Sequence, residues 1–230
     1  MKRLAVQATV NHIPHHGEEL RVVRIERPPE RIVVQDFRHG HYYDAHTDRR
    51  GAVCLAAAWA LAQRSPRSLI HLPIRSNRPP SDGVSPAPTL DLVLVHTSAQ
   101  FRVSDWKAVR ARTRTGRTHR IELGTIRQEL QSFEEADFES TTHRDYPHHL
   151  RYAAAAGTLF VIGSTPAFAR EGAHLRTFVE DFDTTREHHC AEFWPCAWNS
   201  GHKRCIGPDG LHVIRETDRW PAGRAASCQV

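Results

Sequence analysis

No run of this chain is long and apolar enough to cross a bilayer as a helix. The longest, Ala52–Ala62 (AVCLAAAWALA), falls well short of the roughly 20 residues a spanning helix needs, and suits a buried helix instead. The basic start MKRLAVQATVNH has no apolar stretch after it and does not read as a secretion signal. Several catalytic signatures are missing as well. There is no HExxH, no G-x-S-x-G and no phosphate-cradling glycine loop around Gly157 and Gly163. His16-Gly17-Glu18 is formally an H-x-E, but no P-C-x-x-C follows, which excludes the zinc deaminase signature. Internal repeats and long low-complexity tracts are absent. The five cysteines are odd in number and contain no CxxC, and Cys54 sits in the apolar run, so a reducing, cytoplasmic compartment is expected.

What remains is a chain of 230 residues, 40% hydrophobic and 25% charged, with room for a sizeable core. Its net charge of +5 favours an anionic partner, DNA before others, and no membrane. Alternation predicts strands over Leu4–Val10, Leu20–Ile25 and Arg31–Phe37. His39–Arg50 reads as a polar loop, with Asp48 placed to cap a helix over Gly51–Arg64. Ser68–Arg75 reads as a strand, and Ser76–Pro88, with four prolines, as irregular. Thr89–His96 reads as a strong strand. Gln100–Val109 reads as its antiparallel hairpin partner across Thr97-Ser98-Ala99. Helical spacing follows over Thr125–Phe138 and a short helix over Leu150–Ala156. Then come a buried strand over Gly157–Gly163 and a helix over Pro166–Phe182.

Asp91 interrupts an apolar strand, where a carboxylate needs a partner. Asp105 and Lys107, two apart on the expected hairpin strand, project to one face. Paired carboxylates suit a divalent cation, and a nearby ammonium suits a phosphate. The basic segment after them carries Arg110, Arg112, Arg114, Arg117 and Arg120, which suit phosphate contacts or form a solvated face. His188, His189, Cys190, Cys196, His202 and Cys205 cluster near the C-terminus. Cys190, Cys196, His202 and Cys205 are the candidate structural Zn²⁺ set, beside plain packing of buried thiols. Most of the 17 histidines read as surface residues, and none is assigned a catalytic role.

The segment LDLVLVHTSAQFRVSDWKA, with Asp91 and then Asp105-Trp106-Lys107, resembles the PD-(D/E)xK (restriction-endonuclease-like) nuclease superfamily, in its RecB-type or TnsA-type forms. The resemblance implies an α/β fold with a helix–three strands–helix–strand core over residues 41–182. It leaves a β-rich N-terminal extension at 1–40 and a small Cys/His/Trp-rich segment at 183–230. It further implies Mg²⁺ or Mn²⁺ held by Asp91, Asp105 and the Trp106 carbonyl, with Lys107 catalytic and Gln128 or Gln131 assisting. The implied activity is DNA phosphodiester hydrolysis, in partnership with a transposase or a defence system. Two features depart from the pattern. Leu90 stands where proline is usual, and the first helix has no Glu for which Asp44 or Asp48 would substitute. The rival reading is a basic α/β module that binds nucleic acid without cutting it.

Overall fold

The computed structural model describes residues 3–37, 42–80, 87–113, 117–130, 148–184, 189–193, 210–216 and 220. Strands β1 (Arg3–His15) and β2 (Glu18–Ile25) form an antiparallel hairpin. The two residues joining them, His16 and Gly17, have φ of 49° and 84°. A two-residue turn with φ positive at both positions matches the twist of the flanking strands. β3 (Ile32–Phe37) and β4 (Tyr42–Thr47) pair antiparallel, and Asp48 Oδ1 accepts from Gly51 N at 2.8 Å to cap α1 (Arg49–Arg64). β5 (Ser68–Leu72) and β6 (Thr89–His96) follow, then α2 (Trp106–Ala111), β7 (Arg117–Thr125) and the single turn α3 (Ile126–Glu129). The chain continues through β8 (Arg151–Ala155), β9 (Thr158–Gly163), α4 (Thr165–Glu180), β10 (Cys190–Phe193) and β11 (Gly210–Arg215). Ser164 caps α4, with Pro166 in its first turn.

Three expectations are corrected. Gln100–Val109 is not a strand and makes no hairpin with β6: Val103–Asp105 is a 3-10 turn that leads into α2. The reason is that both edges of β6 are taken, by β5 antiparallel over Leu92–Val95 and by β9 parallel over Asp91–His96. The chain after β6 therefore folds over the sheet instead of extending it. Leu150–Ala156 is not helical, because its alanines pair as β8 against β9, and that tertiary pairing overrides their helix propensity. Within the polar stretch His39–Arg50, Tyr42–Thr47 is a strand, flanked by β3 on one edge and by β11, in parallel, on the other. Of the helix expected over Thr125–Phe138, Ile126–Glu129 is helical and residues 131–138 lie outside the described residues.

The result is a mixed α/β fold around one large sheet, ordered β10-β11-β4-β3-β6-β5-β2-β1-β7, with β9 on β6 and β8 on β9. The central strands are apolar on both faces and alternate strictly between them. Ile70, Leu92, Leu94, Leu159 and Val161 join the cluster under α1 and α4, where Leu55, Trp59, Phe168 and Phe178 pack. Leu69, Val93, Val95 and Phe160 join a second cluster on the opposite face, under Trp106 and Val109 of α2. No helix among the described residues is long and apolar enough to cross a membrane.

Candidate functional site

The same two-residue alternation that builds the core delivers polar groups to one place. Val22, Leu69, Val93 and Phe160 face α2. Arg24, His71, Asp91 and Thr158, each two residues from one of these, therefore face α2 as well. The strand register sets them side by side: Arg24 pairs with His71, and Asp91 with Thr158. α2 covers them. Its Trp106 and Val109 are buried, while Lys107, Arg110 and Ala111, at spacings of three and four residues, turn to the same side. The loop after β5 closes the rim with Pro73, Arg75 and Ser76. Together with Thr113 these residues line a cavity of about 640 Å³.

Asp91, 3% exposed, is the cavity's carboxylate. Its Oδ1 accepts from the Arg75 backbone N–H at 3.0 Å. Its Oδ2 lies 3.4 Å from Arg110 Nη1, 3.6 Å from Arg75 Nε and 3.7 Å from His71 Nε2. Burial pushes the Asp91 carboxyl up, but the His71 ring, the Arg75 N–H and the Arg75 guanidinium outweigh it and hold the group below its ordinary value. Arg110 is fixed further by donating to Ala156 O at 3.0 Å and to Thr158 Oγ1 at 3.3 Å. Thr158 also accepts from Trp106 Nε1 at 2.9 Å, locking α2 to β9. Against this one carboxylate stand the side chains of Arg24, Arg75, Lys107 and Arg110. Arg24 is partly neutralised by Glu26 at 2.6 Å. Lys107 is exposed and has no ion pair among the described residues.

His71 is 2% exposed, and neither ring nitrogen has a hydrogen-bond partner among the described residues. Its Nε2 stands 3.7 Å from Asp91 Oδ2, too long for a hydrogen bond, and the pair would become an ion pair only on protonation of the ring. Burial lowers its basicity, favouring the neutral ring. Trp106 stacks edge-on against it, with ring centroids 5.0 Å apart.

Asp91, Lys107 and Arg110 thus meet in one cavity. Asp105 does not join them. It sits at the end of the 3-10 turn, and its Oδ2 faces His16 Nε2 at 3.0 Å and His15 Nε2 at 3.4 Å. Trp106 is a buried packing residue at the start of α2. Gln128 caps α3, accepting from Thr125 N at 2.8 Å. Arg112 donates to Pro14 O at 3.1 Å. Arg117 and Arg120 are exposed on β7, Arg120 beside Glu122 at 3.3 Å, and Arg114 lies outside the described residues. Asp44 pairs with His212 at 3.2 Å and Asp48 caps α1, so neither lines the cavity. The donor set does not suit Mg²⁺ at Asp91: both its oxygens face N–H groups, and Asp105 is turned to the histidines. Of the candidate zinc set, Cys190 lies on β10, its ligand atom within 4.8 Å of those of Glu192 and His212. Burial and the Glu192 charge raise the Cys190 thiol, favouring its protonated form. Cys196, His202 and Cys205, like Gln131, lie outside the described residues.

Arg24, Arg75 and His71 were not picked out from sequence. His71 carried the signal that marked Asp91, a polar residue inside an apolar strand. Comparison with known proteins supplies no guide: no family model, curated protein or solved structure matches the chain.

Proposed function

We propose that the protein is a nucleic-acid-binding module whose cavity under α2 takes a phosphate of the bound strand. One observation carries this reading: four cationic side chains converge on a cavity that holds a single, already engaged carboxylate. Asp91 orients Arg75 and Arg110 in place of ligating a cation, and such preset guanidinium groups bind phosphate with little further ordering. The neutral His71 ring, without a hydrogen-bond partner among the described residues, adds a nitrogen able to donate to or accept from the ligand. A nucleic acid is favoured over a small anion because the basic surface continues past the cavity. On β7, exposed Arg120 lies on the cavity's side of the sheet, the side of Thr9 on β1 and of Arg24 on β2, while Arg117, three residues away, faces the other side.

Lys107 is the probe of choice, since it is exposed, unpaired among the described residues and outside the core. We expect Lys107→Ala to weaken binding of a fluorescent, 5′-phosphorylated oligonucleotide about tenfold, the loss typical of one hydrogen bond to a charged group. The thermal midpoint should not change. Unchanged affinity would remove the cavity from the binding surface.

A second reading, phosphodiester cleavage on a restriction-endonuclease-like core, draws on Asp91 and Lys107 sharing the cavity and on the succession α1, β5, β6 followed by β9 and α4. The helical segment after β6, where that resemblance implies a strand, and the poor fit of Asp91 to Mg²⁺ weigh against it. Nicking of supercoiled plasmid that needs a divalent cation and is lost in Asp91→Asn would favour it over binding alone.

A further inference from the structure

Away from the cationic cavity, the β1–β2 turn and the residue preceding α2 bring three metal-ligating side chains to one point. We propose that His15, His16 and Asp105 form a site for a divalent transition-metal ion, with Zn²⁺ the best fit, that clips the β1–β2 hairpin to the start of α2. The ligand atoms, one from each residue, all lie within 4.8 Å of one another. His16 Nε2 and His15 Nε2 stand 3.0 and 3.4 Å from the same oxygen, Asp105 Oδ2. Ligands about 2.0–2.2 Å from a tetrahedral zinc are separated by roughly 3.3–3.5 Å, so the two nitrogen–oxygen separations need change by only a few tenths of an ångström. The nitrogen–nitrogen separation, within 4.8 Å, closes by rotation of the exposed His16 ring.

The scaffold holds the three groups in this arrangement. Adjacent residues on a strand normally point to opposite faces, and two neighbouring histidines would then diverge. Here His16 occupies the left-handed region, φ 49°, at the first turn position. That bend brings its ring to within 4.2 Å of the His15 ring, centroid to centroid. His15 rests on Phe101, with centroids 5.6 Å apart. Asp105 is placed by the 3-10 turn over Val103–Asp105 and by the burial of the next residue, Trp106. Asp105 Oδ2 stands between the two Nε2 atoms and is the shared oxygen ligand of the cluster. Two imidazoles and one carboxylate favour zinc, cobalt or nickel over magnesium, which prefers oxygen. His16 is largely exposed, at 65% of its side chain, so a fourth position opens to solvent water. On binding, the ion takes the Nε2 lone pair of each ring. A ring that held its proton on Nε2 moves it to Nδ1, so no proton is released, and the site gains the two positive charges of the ion.

The test uses the full chain and Co²⁺ as a spectroscopic stand-in for Zn²⁺, titrated into wild type, His16→Asn and Asp105→Asn. Asparagine tolerates the left-handed turn position, so His16→Asn removes the imidazole while keeping the hairpin. We expect each variant to bind one equivalent less than wild type, with loss of the corresponding visible absorption. We also expect the wild-type thermal midpoint to rise with added Zn²⁺ by more than that of either variant. Equal stoichiometry and equal stabilisation in all three folded proteins would overturn the proposal and leave the cluster as plain His–Asp hydrogen bonds.

Discussion

At the scale of the residue, the cavity depends on a few side chains held against their ordinary preferences. Asp91 is a buried anion kept charged by neighbours from a loop and a helix, and His71 is a buried imidazole kept neutral by its surroundings. The His71 direction has a consequence for stability. A histidine whose folded-state basicity is lowered contributes stability that is present above its unfolded value, about 6.5, and is lost as pH falls, because the unfolded chain takes up the proton first. Among the charged groups near His71, Asp91 and Glu26 oppose this lowering, and Arg24 and Arg110 add to it. We therefore expect urea-unfolding free energy to drop between pH 7 and pH 5. The drop should be smaller in His71→Leu, by on the order of 1 kcal/mol, since one pH unit across such a gap is worth about 1.4 kcal/mol. Parallel curves for the two proteins would mean that His71 titrates normally in the fold. The other histidines cancel in the comparison.

At the scale of the element, α2 and the junction before α1 set the geometry. α2 is six residues long and would be marginal alone. It is held by the burial of Trp106 and Val109 and by the Trp106–Thr158 hydrogen bond, which fixes the rotation that turns Lys107 and Arg110 inward. The start of α1 is equally constrained. Thr47, Asp48 and Gly51 pack so closely at the β4–α1 junction that a Cβ at Gly51 would lie 2.1 Å from Thr47 Oγ1 and 2.8 Å from the Arg31 carbonyl oxygen. The Thr47 side chain can rotate away, but the backbone carbonyl cannot. We expect Gly51→Ala to cost about 1–3 kcal/mol, the range for forcing atoms into a packed interior, despite the better helix propensity of alanine. Chemical denaturation reads this directly, and a stabilised Gly51→Ala would mean the junction is looser than its distances imply.

At the scale of the whole molecule, the parts of the fold written in local pattern were legible in the sequence. The apolar runs of β6 and β9, the alanine-rich α1 and the Asp48 cap each follow from residues within a few positions of one another. What was illegible depends on distant pairings. Gln100–Val109 alternates like a strand, and only the occupation of both edges of β6 by β5 and β9, the latter more than 60 residues along the chain, denies it a place in the sheet. YYDAHT alternates only over Tyr43–His46, with Tyr43 and Ala45 in the core, and this short polar stretch becomes a strand because β3 and β11 hold it from both sides. The candidate site divides the same way. Asp91 was visible as a charge in an apolar strand, and Lys107 and Arg110 as part of a basic run. Arg24 and Arg75 were invisible because their place comes from the β2–β5 register and from the turn after β5. Asp105 was grouped with Asp91 through a hairpin that does not form, and it stands with His15 and His16 instead.

The central claim, that a phosphate of a nucleic acid sits among the cationic side chains under α2, is tested most directly by the salt dependence of binding. Each phosphate contact contributes about −0.9 to the slope of log affinity against log salt for duplex DNA, and about −0.7 for a single strand. Measured with one oligonucleotide from 50 to 300 mM salt, roughly the span over which such slopes are read, Lys107→Ala should have a slope shallower than wild type by about that single increment. A slope identical to wild type, at whatever affinity, would place Lys107 and its cavity away from the phosphates and contradict the account.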